Sequence, residues 1–499
     1  MVQLNLLSAL ASIIVIFCFY VIFREQTRRS LPLPPGPKKL PLLGNLLHMA
    51  KDLKWKTYHK WCKEFNSDII HLDIAGTSII VLDTFEVATE LLERRSSRYS
   101  GRATLPMVNG LMGREHRRLM HHSFHPSAAV KLRPHELKAT HHLLRKLLDD
   151  PGIDGLMGHL RHMIVETIVS ITYGIEVLPE GDPYIKNADD ALKPLVIAGI
   201  PGTFLVDAFP ILRIAPDWMP FADFKRKAKE WRMLARRMVD TPFNAAKRNI
   251  ELGGAPPSFT SISLGNMDEN GDLERQETVI KNVAGAMYTV ISSCVLALMV
   301  NPDVLKKAQN EIDSVVGLGQ LPGFEDEGSL PYIAAITKEA LRWREVAPIA
   351  IPHFCDDEDE YNGYLIPAGS VVIPNSWAML HDEKIYPDPF TFNPDRFMKD
   401  GKLNPAIKDP AHAAFGFGRR ICPARYMAYS SVWIAIASLV ATFDIKKPLD
   451  EKGQVIEPSL EFVNNLICMP APFKCSMKPR SKEVAKVIRE TAGNDYFVM

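Results

Sequence analysis

The sequence predicts a mainly α-helical protein with small β-sheets, an α+β class, and three observations carry that expectation. Residues 126–250 keep a helical pattern interrupted at Pro and Gly, with clear runs at 134–148 and 223–248. Residues 277–300 contain no proline, and 283–300 are uncharged for 18 residues, as in one long helix buried on every side. Strand signals, in contrast, are short and paired, which places small sheets at the edges.

The elements follow in order. Residues 4–23 are uncharged and almost wholly apolar, and twenty residues at about 1.5 Å each reach about 30 Å, enough to cross a bilayer. A cleaved signal peptide is the rival reading. It needs basic residues before the apolar stretch, whereas Arg24, Arg28 and Arg29 follow it. The expected organisation is an anchor at 1–23, a hinge at 24–45 and a single catalytic domain at 46–499, held on the cytosolic side by the trailing charges. Five prolines and a glycine in 31–41 make the hinge stiff and extended. Residues 69–82 read as a hairpin turning at Gly76-Thr77, and a helix follows at 88–96. A second hairpin is expected at 361–374, turning near Ala368-Gly369, and a last one at 466–478. The tail after Pro479 reads as polar and peripheral. By hydropathy the 283–300 run would also qualify as a membrane span. Tyr288, Thr289, Ser292 and Ser293 interrupt it and no basic cluster flanks it, which favours a core helix.

Apolar content of 46% and charged content of 23% over 499 residues allow a large core. A net charge of +1 gives no pull toward nucleic acid. Seven cysteines, an odd number, show no Cys-x-x-Cys pair and no zinc spacing, which argues against a disulfide framework or a zinc centre and suits a reducing compartment.

The most informative stretch is Phe415-Gly-Phe-Gly-Arg-Arg-Ile-Cys422-Pro-Ala-Arg425. It sets one cysteine on a glycine-rich turn that runs into an apolar helix, where free N–H groups and the helix dipole favour a thiolate. Gly418 lets the backbone approach the sulfur, Phe415 can shield it, and Arg420 can meet a carboxylate on whatever the sulfur holds. A buried inert cysteine is the plain alternative. The order Phe, Gly, Arg, Cys at these intervals resembles the haem-ligand loop of the cytochrome P-450 family, and the chain is similar to its membrane-anchored, microsomal and fungal members. The resemblance implies haem held between a long central helix and the cysteine-loop helix, with Cys422 as the axial ligand of the iron, a ligation that favours O–O cleavage.

Two further motifs support it. Glu339-Ala-Leu-Arg342 puts an acid and a base on one helix face, and Pro394-Asp-Arg396-Phe397 follows some fifty residues later. The family joins such segments in a buried three-way ion network, which implies a structural role for Glu339, Arg342 and Arg396. Arg117 resembles a contact to one haem propionate, and His353 matches a position that bonds the other.

Three departures stand out. Ala424 replaces the usual glycine. The central helix reads Ala284-Gly-Ala-Met-Tyr-Thr289 where the family usually carries Ala/Gly-Gly-x-Asp/Glu-Thr-Thr/Ser. One register sets Met287 at the acid and Thr289 at the second hydroxyl; the other sets Ala286 at the acid and Met287 at the threonine. Neither recovers the acid that relays protons, so Thr289 is a weak catalytic candidate. Gly113 stands where a tryptophan is usual, and 104–113 is short for the loop that closes the substrate pocket. Both gaps have the size of short in-frame losses, from divergence or from exon assignment.

The resemblance implies a monooxygenase that takes electrons from an NADPH-dependent flavoprotein reductase and oxidises an apolar small molecule from the endoplasmic reticulum membrane. The relay gap implies impaired proton delivery. Residues 348–351, 466–469 and 284–289 would line the pocket, and 114–118 with Arg419 would face an acidic partner. The alternatives are a haem-thiolate isomerase or dehydratase, which needs no relay, and a haem-binding protein with little turnover. Secondary metabolites, fatty acids, sterols and aromatic xenobiotics all remain open as substrates.

Overall fold

The computed structural model describes residues 31–41, 43–49, 53–102, 125–150, 155–198, 204, 206, 216, 223–265, 289–464 and 467–493. The expected anchor at 4–23, Arg117, Gly113, the 104–113 loop and Ala284–Tyr288 of the central helix lie outside the described residues. The chain divides into two compact units, one made of 1–49, 58–103 and 352–374, the other of 50–57, 104–351 and 375–499.

The first unit is built on a four-stranded sheet in the order β1-β2-β6-β3. The helix α1 (Lys54–Glu64) gives it buried Tyr58 and Cys62. Strands β1 (Ile69–Ile74) and β2 (Thr77–Leu82) form the expected hairpin. Its turn lies one residue earlier than expected, at Ala75-Gly76, because Ile74 pairs with Thr77. Both loop residues take positive φ, 49° and 89°, the geometry that matches strand twist in a two-residue hairpin. The helix expected at 88–96 begins sooner. Thr84 caps α2 (Phe85–Ala88) by accepting from the Val87 N–H, and the chain then widens into a π turn at Thr89–Arg94.

The hairpin expected at 361–374 is not one hairpin. After β3 (His353–Phe354), strand β4 (Asp359–Tyr361) pairs with β5 (Tyr364–Ile366) around Asn362-Gly363, where φ is 50° and 78°. Asn-Gly is the stronger turn signal than Ala368-Gly369. Strand β6 (Val371–Pro374) leaves that pair and runs parallel to β2 and antiparallel to β3.

The second unit is helical. Its main core is drawn from α4 (Arg133–Asp149), α5 (Leu156–Tyr173), α9 (Thr289–Val300), α10 (Pro302–Val315), α11 (Pro331–Trp343) and α14 (Arg425–Thr442). The other described helices are α3 (Pro126–Val130), α6 (Pro183–Ala198), α7 (Asp223–Glu251), α8 (Phe259–Gly265), α12 (Ser376–Leu380), α13 (Ala411–Ala414) and α15 (Lys482–Glu490). Helices α4 and α7 follow the runs expected at 134–148 and 223–248. Every residue of α9 from Thr289 to Met299 is buried, as a helix apolar on all faces requires. Among the described residues no single helix is long and apolar enough to cross a membrane; α9 and α10 reach that test only as a pair bent by 105°.

The last hairpin is also rearranged. Small strands β7 (Met398–Lys399) and β8 (Lys402–Leu403) pair ahead of the cysteine turn. Strand β10 (Phe462–Asn464) pairs with β11 (Cys468–Pro470), while β12 (Ser476–Pro479) pairs with β9 (Phe443–Lys446). Pro470 and Pro472 remove ladder donors and prevent a continuous 466–478 hairpin. The described part of the tail after Pro479, to residue 493, is not peripheral. Ser481 caps α15 through its hydroxyl, and Val484 and Ile488, four apart on one face, are buried in the main core. Ile488→Ala should therefore lower stability by about 2–5 kcal/mol, measured as a shift in the urea unfolding midpoint; an unchanged midpoint would return the tail to the periphery.

Candidate active site

Chain geometry forces the cysteine turn to fold back on itself. Helix α13 ends at Phe415, Gly416 takes φ 80° and Gly418 φ 55°, and a 3-10 turn runs through Gly418–Arg420. Glycine reaches those angles without the clash a Cβ would bring. The loop closes when the Cys422 N–H donates to the Phe415 carbonyl at 2.8 Å. The Cys422 carbonyl in turn accepts from Arg425, through its backbone N–H at 3.4 Å and its Nη1 at 3.2 Å. Cys422 thus sits just ahead of α14, where the helix has unpaired N–H groups and the positive end of its dipole.

Six cysteines are described, and Cys422 is the one that is not buried. Burial pushes the Cys355 thiol up to about 11 and those of Cys468 and Cys475 up to about 12, and raises Cys62 and Cys294 further. Those five are chemically quiet. A side chain at Gly416 would meet no protein atom within 4 Å, so the turn has room on that side. One accessible sulfur on a glycine-rich turn at a helix N-terminus is the donor that haem iron takes from a cysteine, and the residues present fit that group. Phe415, beside it in the turn, is partly buried against the main core, and Phe417 is fully buried. Arg420 ends the 3-10 turn, half-buried, and Arg419 is exposed.

The structure also forms the ion network the motifs imply. Glu339 and Arg342 have no exposed side-chain surface. Arg342 Nε donates to Glu339 Oε2 at 2.7 Å and Nη2 to Oε1 at 2.8 Å. Its other donors reach the carbonyls of Leu380, Pro389 and Thr391 at 3.1, 2.7 and 3.3 Å, which uses all five guanidinium N–H bonds. Arg396 completes the trio, its Nε 3.2 Å from Glu339 Oε2, while Nη1 and Nη2 hold the Pro387 and Asp388 carbonyls. The Asn393 N–H also donates to Glu339 Oε1, at 2.8 Å. Burial pulls Arg396 below its ordinary range and Glu339 opposes the pull.

The remaining expected residues are distributed unevenly. His353 stands on β3 in the first unit, buried, with Nδ1 2.8 Å from the Tyr99 carbonyl. Thr289 is the first described residue of α9, and its carbonyl accepts from the Ser292 and Ser293 hydroxyls. Within the second unit α9 packs on β11. The Cys468 N–H donates to the Val346 carbonyl and the Trp377 N–H to that of Pro348, so the expected lining segment 348–351 and the described part of 466–469 share one scaffold.

Sequence reasoning missed a second buried pair. Glu345 Oε2 lies 3.9 Å from His381 Nδ1, which donates to the Trp377 carbonyl instead. Burial pushes Glu345 up to about 8 and His381 down to about 3, so at neutral pH this is an uncharged contact. Nothing in the local pattern marks either residue as buried.

The comparisons with known proteins agree with this geometry. A family model described as Cytochrome P450 matches residues 34–476. Cytochrome P450 monooxygenase 98 of Postia placenta is 44% identical, over 98% of this chain and 98% of its own. Tryptamine 4-monooxygenase of Psilocybe cyanescens is 40% identical over 96% and 99%, and cytochrome P450 monooxygenase ple1 of Rhodocybe pseudopiperita 38% over 93% and 93%.

Arg342→Ala would leave Glu339 buried against a single cation, Arg396, most of whose donors are committed to carbonyls. A loss of about 3–5 kcal/mol is expected, read by chemical unfolding. Arg342→Lys should fall too, because an ammonium offers three donors where five are used. A loss below about 1 kcal/mol would reduce the network to an incidental contact.

Proposed function

This chain belongs to the cytochrome P450 family and is an oxidoreductase of the monooxygenase class, and from that premise we propose that Cys422 binds haem as a thiolate and that the chain oxidises an apolar small molecule. The observation that carries the reading is Cys422 itself, the one described cysteine off the buried core, held on a closed turn at the start of α14. Haem with a thiolate ligand supplies an electron-rich iron that favours O–O cleavage.

The chain's residues supply the rest. Gly416 and Gly418 let the backbone pass close to the sulfur, and Phe415 keeps water from it. Arg420 and Arg117 would pair with the carboxylates of the bound group. His353, buried with Nδ1 2.8 Å from the Tyr99 carbonyl, is the further propionate candidate that the resemblance implies. Glu339, Arg342 and Arg396 hold the scaffold and take no part in the chemistry. Thr289 is the hydroxyl candidate for moving protons over the reacting centre.

Electrons would come from a flavoprotein reductase that uses NADPH, docked on the basic residues at 114–118 and exposed Arg419. The apolar run at 4–23, followed by arginines, supports a single-pass anchor in the endoplasmic reticulum, a hinge at 24–45 and one catalytic domain at 46–499 facing the cytosol. The substrate would be hydrophobic, since the expected lining segments 348–351 and 466–469 are apolar in sequence; the relative named tryptamine 4-monooxygenase keeps aromatic amines within that range.

Neither register of the central helix supplies an acid near Ala286–Met287, so proton delivery would be poorly ordered. NADPH consumption with reductase should outrun product, the balance leaving as peroxide or superoxide. Product formed in step with NADPH would refute this, and an acid–threonine pair restored at Ala286 and Met287 should raise the yield. Ligation has a separate readout. The reduced protein with CO should show the thiolate-type absorbance maximum, and Cys422→His should move it to the imidazole position. A histidine-type maximum in the unaltered chain would sink the proposal. Turnover of a lipid hydroperoxide without reductase would favour the isomerase reading that the missing acid permits.

A further inference from the structure

Glu136 opens α4 and is 1% exposed, packed against α14. Its neighbour is Ser430, whose Oγ lies 2.7 Å from Glu136 Oε2 and 3.1 Å from the Met427 carbonyl. A hydroxyl has one proton to give. If Glu136 were a carboxylate, both neighbours of Ser430 would be acceptors and its one proton could serve only one of them. A protonated carboxyl resolves this: Glu136 O–H donates to Ser430 Oγ, and Ser430 O–H donates to Met427. Ser431 faces the same carboxyl and favours its charged form, yet Glu136 Oε1 completes no hydrogen bond among the described residues.

The charged groups around it do not change that balance. Arg133, one turn earlier on α4, is committed to Glu327 at 2.7 Å and lies 4.6 Å over the Phe324 ring. Glu327 comes from the 3-10 turn Phe324–Ser329 and acts against ionisation. Helix α14 presents only Ser430 and Ser431 to it. Burial, the largest influence, pushes Glu136 up to about 8; the two serines and Arg133 pull it down and Glu327 raises it again. Met427 lies in the first turn of α14, the same turn whose Arg425 grips the Cys422 carbonyl.

We propose that Glu136, acting as a protonated carboxylic acid, is a positioning residue for Cys422: the chain Glu136–Ser430–Met427 holds the first turn of α14, against which the cysteine turn is closed. The inference rests on the reading of Cys422 as the haem ligand. A group whose proton is held in the folded protein above its ordinary range loses its contribution as pH rises through that raised value. The hold on α14 should therefore weaken on the alkaline side.

The test uses the haem-loaded full chain, with reduced-plus-CO spectra taken from about pH 6 to about pH 9.5 and circular dichroism as a check on folding. In the unaltered protein the thiolate-type form should decline as pH passes about 8. Glu136→Gln, whose amide donates to Ser430 at every pH, should move that decline upward by about one pH unit or more. Ser430→Ala keeps the carboxyl but cuts the chain, and should lower the thiolate-type fraction already at neutral pH. Coincident profiles for Glu136→Gln and the unaltered protein would overturn the proposal, as would an unchanged spectrum in Ser430→Ala. A thiolate-type form that is absent at every pH in the unaltered protein would instead remove the ligand reading, and this proposal with it.

Discussion

Glu339 sits in the interior of the second unit with two guanidinium groups closing on it, and much of that unit depends on this contact. The charge is taken wholly out of water, which is tolerable only because its oxygens collect donors from Arg342, Arg396 and the Asn393 backbone. The arginines then spend their remaining N–H bonds on carbonyls at 380, 387, 388, 389 and 391. An irregular stretch of backbone is fastened to α11 through its own acceptors, with no ladder of its own. The cysteine turn follows that stretch in the chain, with Phe415 packed on the hydrophobic core.

Two of the other buried glutamates are treated in the opposite way. Among the described residues Glu345 and Glu136 have no guanidinium within bonding distance, and both are held toward the protonated form. The difference lies in donor count. Where several N–H groups converge, a buried carboxylate is stable; where a serine or a reluctant histidine is the neighbour, keeping the proton is the lower-energy choice. Burial alone does not tell which case applies.

Much of this was legible in the sequence, for reasons that differ by element. The Glu-x-x-Arg and Pro-x-Arg-Phe segments announced the network through the family resemblance, since helix spacing by itself joins only Glu339 and Arg342. The carbonyls that complete it left no trace, since any residue provides one. The hairpin at 69–82 was visible through its apolar runs, but its turn slipped by one residue because pairing register decides the loop. The 361–374 and 466–478 pairings failed because strand partners lie far apart in the chain and proline only says where a ladder cannot be. Helix α15 was passed over because two apolar side chains on one face are a faint signal in a polar tail. Cys422 was recognisable from its glycines and arginines, yet its standing as the one described cysteine away from the core required the fold.

The main core draws residues from Ala139 through to Ile488. That span has a consequence for how the protein is made. The complete core cannot close until residue 488 has been added, and the faces of α9 that pack on α14, β9 and β11 stay uncovered until those elements are made. At about 5–20 residues per second the delay from Thr289 to Ile488 is on the order of ten seconds or more. Over that interval the nascent chain carries uncovered apolar helices of the kind that chaperones bind, and the proportion that matures would be set in part by how quickly translation passes through the last third of the message.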